Sequence, residues 1–210
     1  MATHNPPTDS RDPDEPEFFA PAIDARAMKA FAHPLRMAMY DYLVDHEAAT
    51  ATMLARHTGE STGQTSYHLR QLERHGFVTE DPGRGSGRER WWRSVGFRMD
   101  GFELAQDAGT RPAVEAVLSN QVAGRARQLA DWYARSESEP LPWQTATTNS
   151  TITSSLTLDE MRDLRDALMT VLHEHVTAAK DRRENAEAQG NDAETRRVRV
   201  YLDVFPLPED

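Results

Sequence analysis

Between Asp24 and Gly76, apolar residues recur every three to four positions, which predicts a run of short helices. Asp24 suits the N-cap of a helix over 25–32. His33-Pro34 interrupts it, and Pro34 fits the first position of the next helix. That helix, 35–45, places Leu35, Met39, Tyr40 and Leu43 on one face. A third, 51–58, turns Leu54 and Ala55 inward, and Gly59 suits its left-handed end. Ser61-Thr-Gly-Gln64 is a capping-box pattern that opens a fourth helix running to about His75. Phe77-Val-Thr79 and Trp91–Val95 then read as two strands around a glycine-rich loop, Pro82–Arg88.

The pattern changes after residue 95. Residues 96–110 read as irregular. From Arg111 a long amphipathic helix aligns Val114, Val117, Leu118, Val122, Leu129 and Trp132 near one face, until Pro140 and Pro142. Thr148–Leu156 is rich in Thr, Ser and Ile and predicts a strand. Thr157-Leu-Asp-Glu160 is a second capping box, opening a helix to about Ala179. Glu187–Glu194 reads as a polar loop. Val198, Val200, Leu202 and Val204 alternate strictly, the clearest strand pattern in the chain.

Composition narrows the classes. The chain has 210 residues and no cysteine, so disulfides, thiolate metal sites and cysteine nucleophiles are excluded. No apolar run approaches a membrane span, and residues 1–24 lack a signal-peptide pattern. The expectation is a cytoplasmic protein without membrane contact. Residues 1–23, rich in proline and acids, predict a disordered acidic tail. The net charge of -10 is unevenly spread. Residues 26–98 carry eleven Lys/Arg against eight acids, net +3, while 99–210 carry net -8. An anionic polymer would be met by the first of these blocks.

Three short helices followed by two strands around an Arg/Gly loop form the order of a winged helix-turn-helix. With Thr65, Leu69 and Leu72 as the buried seam, Gly63, Tyr67, Arg70 and Arg74 fall on the opposite face. A helix of this width enters the major groove, where its first turns reach base edges. The candidate DNA-contact set is Thr62, Gly63, Gln64, Ser66, Tyr67 and Arg70. Arg84 and Arg88 of the loop would serve phosphates or the minor groove. Gln64 serves equally as cap or base contact. Arg74 reads as a solvated charge and His68 as a packing residue.

Two segments resemble ArsR-like winged-helix transcriptional regulators: Met28-Lys-Ala-Phe-Ala-His-Pro-Leu-Arg36 and Gln64-Thr-Ser-Tyr-His-Leu-Arg-Gln-Leu-Glu-Arg-His-Gly-Phe-Val78. The resemblance covers roughly residues 24–95. It implies a dimeric, sequence-specific repressor or activator with the fourth helix in the major groove and Thr62, Gly63, Ser66, Tyr67 and Arg70 on DNA. The family's metal-sensing branch carries a cysteine pair that this chain lacks.

The expected fold is mainly α with small β elements. A winged helix-turn-helix at 24–97 is followed by a C-terminal part, 98–210, that dimerises. Its long helix supplies Val114, Val117, Leu118, Val122 and Leu129, and a strand–helix–strand α+β subdomain follows. Trp132, Tyr133 and Trp143 are candidates for a small-molecule effector pocket or for core. Two other classes compete. His173-Glu-His175 suggests a metal-dependent sensor or enzyme, but helix positions two apart point about 200° away from each other. His175 falls on the apolar seam and reads as packed. A winged helix used only for protein contacts is the second. No catalytic constellation and no cofactor motif is present, so the expectation is not an enzyme.

Overall fold

Asp24 starts the first helix as an N-cap, its carboxylate accepting from Ala27 N at 2.7 Å. The computed structural model describes residue 20 and residues 22–84, 89–99, 101–189 and 195–208. Helix α1 spans Ala25–Phe31 and α2 spans Pro34–His46. The turn between them needs a residue that can cap, and His33 does so, its Nδ1 accepting from Leu35 N at 3.2 Å. Strand β1 (Ala48–Thr50) leads directly into α3 (Ala51–Thr58), capped by Thr50. Gly59, at φ 74°, takes the left-handed conformation that closes α3.

Helix α4 (Thr62–Arg74) opens on the expected capping box: Ser61 Oγ accepts from Gln64 N, and Gln64 Oε1 accepts from Ser61 N. Strands β2 (Val78–Glu80) and β3 (Trp91–Ser94) follow. The sheet is antiparallel in the order β1-β3-β2, with Ala49 opposite Trp92 and Thr79 opposite Arg93. β1 has no strand-like alternation in its Ala-Ala-Thr sequence. Pairing with β3, and burial of all three residues, make it a strand.

Helix α5 (Gly101–Gln106) lies where an irregular stretch was expected, and α6 spans Arg111–Arg135. The chain divides into two units, Met1–Gly124 and Arg125–Asp210. Residues 98–124, expected with the C-terminal part, therefore pack with the winged helix. The core of this first unit is built on four aromatic rings. Phe31 lies 4.7 Å from Phe77 and 5.0 Å from Phe97, and Tyr40 meets Phe31 edge-on at 5.2 Å. Met28, Leu43, Leu54, Leu69 and Leu72 close around them, and Tyr40 donates its hydroxyl to Val95 O at 2.9 Å. Val114 and Val117 of α6 belong to the same core. Ala20 and Ile23 are buried too, and Ala22 bridges Arg98. Those residues are thus ordered packing rather than tail; the rest of the expected tail, 1–19 and 21, lies outside the described residues.

The second unit comprises α6 from Arg125 on, a 3-10 turn (Ser136–Ser138), α7 (Leu141–Thr145), α8 (Leu158–Gln189) and extended segments. The expected strand–helix–strand subdomain is absent: residues 148–156 and 195–204 pair with no strand. Alternation alone does not make a strand, because the ladder must also find a partner. Side chains hold the C-terminal segment instead. Tyr201 donates to Gln128, Arg125 bonds Asp203, and Arg196 bonds Glu139 at 2.7 Å. Val198 and Val200 stay exposed. The second capping box, Thr157 with Glu160, forms, and α8 continues through the start of the expected loop at 187–194. Among the described residues of this unit, none is buried.

Candidate nucleic-acid interface

α4 is held from one side only. Thr65, Leu69 and Leu72 are buried at helical spacing, as the seam required. Thr65 also donates its hydroxyl to Ala51 O of α3 at 3.0 Å, so a partly buried polar contact ties α4 to α3. The opposite face is open. Thr62, Gly63, Gln64, Tyr67, Arg70 and Arg74 are exposed, Tyr67 by 56%, and Ser66 is half-buried. The structure thus brings together six predicted contact residues on the first two and a half turns of one helix.

Gly63 is informative. A Cβ built there would meet only Ser61 Oγ, at 3.9 Å. Its φ is not left-handed, so neither packing nor backbone requires a glycine inside this helix. Such a glycine costs roughly 0.5–1 kcal/mol relative to alanine. Gln64 is committed to the capping box yet remains exposed, so the cap leaves its amide end near the solvent face.

The wing is described on both flanks, while Gly85–Arg88, and with it the predicted contact Arg88, lies outside the described residues. Arg84 is paired at the base of the wing, with Glu47 at 2.9 Å and Asp81 at 3.5 Å. Glu47 follows α2 at φ 63° and ψ -55°, a conformation that costs a non-glycine residue about 1–3 kcal/mol. On the far flank Thr52 of α3 donates to Glu89 at 3.3 Å. Trp92 is buried and Trp91 half-buried, one core residue and one partly open.

His68 departs from a plain packing role. Its ring lies 4.7 Å from that of His33, and its Nδ1 accepts from Arg36 at 3.4 Å. Arg36 Nε in turn donates to Ala30 O. Partial desolvation lowers the pKa of both histidines, His33 being exposed and His68 half-buried; the His33 ring and then the Arg36 guanidinium lower that of His68 further, and Arg36 lowers that of His33. His33 and Arg36 lie in the sequence as an N-cap position and its first turn, but nothing in the pattern placed them against α4.

The predicted dimer residues separate. Val114 and Val117 are buried in the chain's own core, so their apolar surface is already covered. Leu118, Val122 and Leu129 remain exposed on α6. Of the aromatics considered for an effector, Trp132 lies under Arg135 and Trp143 under Arg196, each guanidinium about 5 Å from its ring, and Tyr133 is exposed. His175, read as packed, is exposed, its Nδ1 2.9 Å from Val171 O, while Leu168 and Leu172 of the same α8 seam are half-buried. Among the described residues no cluster of three or more His, Asp or Glu is placed to hold a metal, and no helix is long and apolar enough to cross a membrane.

The model of a helix-turn-helix domain family matches residues 31–81, which run from the end of α1 past β2. Residues 31–81 are thus a helix-turn-helix domain, and the ArsR-like segments fall on and beside the same stretch. Two solved structures are similar to parts of the chain. One, a possible transcriptional regulator for arsenical resistance, is 26% identical over 50% of this chain and 94% of its own, with a TM-score of 0.29. The other, an ArsR family transcriptional regulator, is 23% identical over 47% and 86%, with a TM-score of 0.29. No curated protein matches the chain.

Proposed function

We propose that the chain is a DNA-binding transcription regulator that acts as a homodimer and reads its operator with α4. One observation carries this reading. α4 is anchored by Thr65, Leu69 and Leu72 while its opposite face, from Thr62 to Arg74, is polar, cationic and open. A helix so mounted presents short hydrogen-bonding groups at its N-terminal half and arginines beyond them, the chemistry that base edges and phosphates take. An exposed helical Gly63 that nothing in the fold requires fits a helix approached closely by a partner.

Thr62, Gly63, Gln64, Ser66, Tyr67 and Arg70 are the base- and backbone-contacting set in this reading. The wing, with Arg84 and Arg88, meets phosphate or the minor groove. Arg84 then exchanges Glu47 and Asp81 for the nucleic acid. Leu118, Val122 and Leu129 are the apolar positions through which a second copy attaches.

Selection from random double-stranded DNA by the full chain tests the reading. A defined site should emerge, with affinity falling steeply as salt rises. Arg84→Ala with Arg88→Ala should flatten the salt slope by about 1 per lost phosphate contact. No enrichment of any sequence would refute DNA reading. Light scattering tests the dimer separately: a monomer mass at micromolar concentration, with tight binding to a single half-site, would refute it.

A further inference from the structure

The His33–His68 pair stands at the joint between α2 and α4, and both rings use the same nitrogen in the same way. His33 Nδ1 accepts from Leu35 N, and that contact caps α2. His68 Nδ1 accepts from the Arg36 guanidinium, which can only donate. Each neutral ring therefore carries its proton on Nε2. A protonated imidazole has no acceptor left, so charging either ring breaks the bond that ring makes.

The surroundings make that charge costly. The two rings lie 4.7 Å apart, and Arg36, fixed by Ala30 O, stands against His68. Glu60 of the α3–α4 turn is the one carboxylate acting on His68, and its attraction is the smallest of the influences there. His57 of α3 and Glu60 line the same open cleft of about 530 Å³, through which solvent reaches both rings. From α1, Arg26 acts on His75 at the end of α4 rather than on this pair. On α4 itself the Tyr67 ring meets the His68 ring edge-on at 5.2 Å.

We propose that His33, Arg36 and His68 form a proton-sensitive lock that seats the recognition helix on α2: neutral rings hold α4 in place, and protonation unseats it. The direction follows from linkage. Both folded-state pKa values lie below the ordinary imidazole value of 6.5. The stabilisation is therefore present above that pH and is lost as pH falls through the lowered values. The motion would carry Tyr67, neighbour of His68 and proposed base contact, so acid would act on operator binding. That last consequence rests on the DNA reading; the lock does not.

The test uses the full chain without DNA, compared with a His33→Asn, His68→Gln double variant. Asparagine caps helices well and glutamine can accept from Arg36, so both hydrogen bonds survive while neither position titrates. Hydrogen exchange of the α4 amides from Thr65 to Leu72, corrected for the intrinsic pH dependence, is followed from pH 8 to pH 5. The wild type should lose protection below the ordinary imidazole range, and the double variant should keep it. Unchanged protection in the wild type, or equal loss in both chains, would overturn the lock; equal loss would assign the effect to another group, such as His75. Operator selection at pH 8, where the lock is closed, tests the DNA reading independently.

Discussion

Residues 22–124 surround an aromatic centre with fully buried Phe77, Phe97, Met28 and Leu43, whereas the described residues from 125 to 208 bury no side chain. Both regions have helices with good caps and apolar residues at helical spacing. What separates them is closure. In the winged unit, α1, α2, α4, the sheet and the start of α6 close around one shared core, although Phe102, Leu118 and Val122 stay outside it. In the second unit Leu164, Val171 and Val176 of α8 remain exposed, as does Val198 in the extended segment, and arginines lie over its tryptophans. Secondary structure and tertiary burial thus have different signals: capping boxes and periodicity mark where helices begin and which face is apolar, and only a second apolar surface provides burial.

Substitutions in the two regions should differ accordingly. The largest loss is expected at Phe77, where alanine removes the ring touching Phe31, Tyr40 and Phe97, at a cost of about 3–5 kcal/mol. Urea unfolding read by tryptophan fluorescence measures it; a loss below 1 kcal/mol would mean that the aromatic centre is not the core. Tyr67→Ala and Arg70→Ala come next and act on binding rather than folding. Each should lose about 1–3 kcal/mol on the selected site with unchanged helicity, in a titration against operator and scrambled DNA. Unaltered affinity in both would remove α4 from the groove. Ser61→Ala should cost about 1 kcal/mol of stability by undoing the capping box that begins α4. The smallest effect is expected at Val171. In a monomer, Val171→Ala should stay within about 0.5 kcal/mol. A much larger loss, rising with protein concentration, would show that a second copy supplies the missing cover.

Local signals were legible where one stretch of chain decides the outcome. Asp24, Pro34, Gly59 and the Ser61/Gln64 box bound helices by contacts within a few residues, and the Thr65, Leu69 and Leu72 seam follows from spacing alone. Elements decided by a distant partner were not. β1 exists because β3 pairs with it, and Val198–Val204 stays unpaired because no strand meets it. Val114 and Val117 share a helical face with Leu118 and Val122, and periodicity cannot tell a core-facing residue from one left open one turn later. For the candidate site, the exposed face of α4 was readable. The Arg84–Glu47 pair and the His33–Arg36–His68 contacts join residues more than 30 positions apart, beyond any local pattern.

The hydroxyl of Thr65 on Ala51 O has a consequence for descent. It ties the angle of α4 to the buried Thr65 and the half-buried Ala51 rather than to the exposed face, so on the proposed DNA reading inheritance of the scaffold and inheritance of the address are separate matters. Thr62, Ser66, Tyr67 and Arg70 can drift to new identities without disturbing Thr65, Leu69 or Leu72. Duplicated copies of such a gene could acquire different targets in a few substitutions while every copy still folds. Grafting an exposed α4 face from another regulator onto this seam should yield a stable protein with a new target preference, and changing Thr65 should spoil every such graft alike.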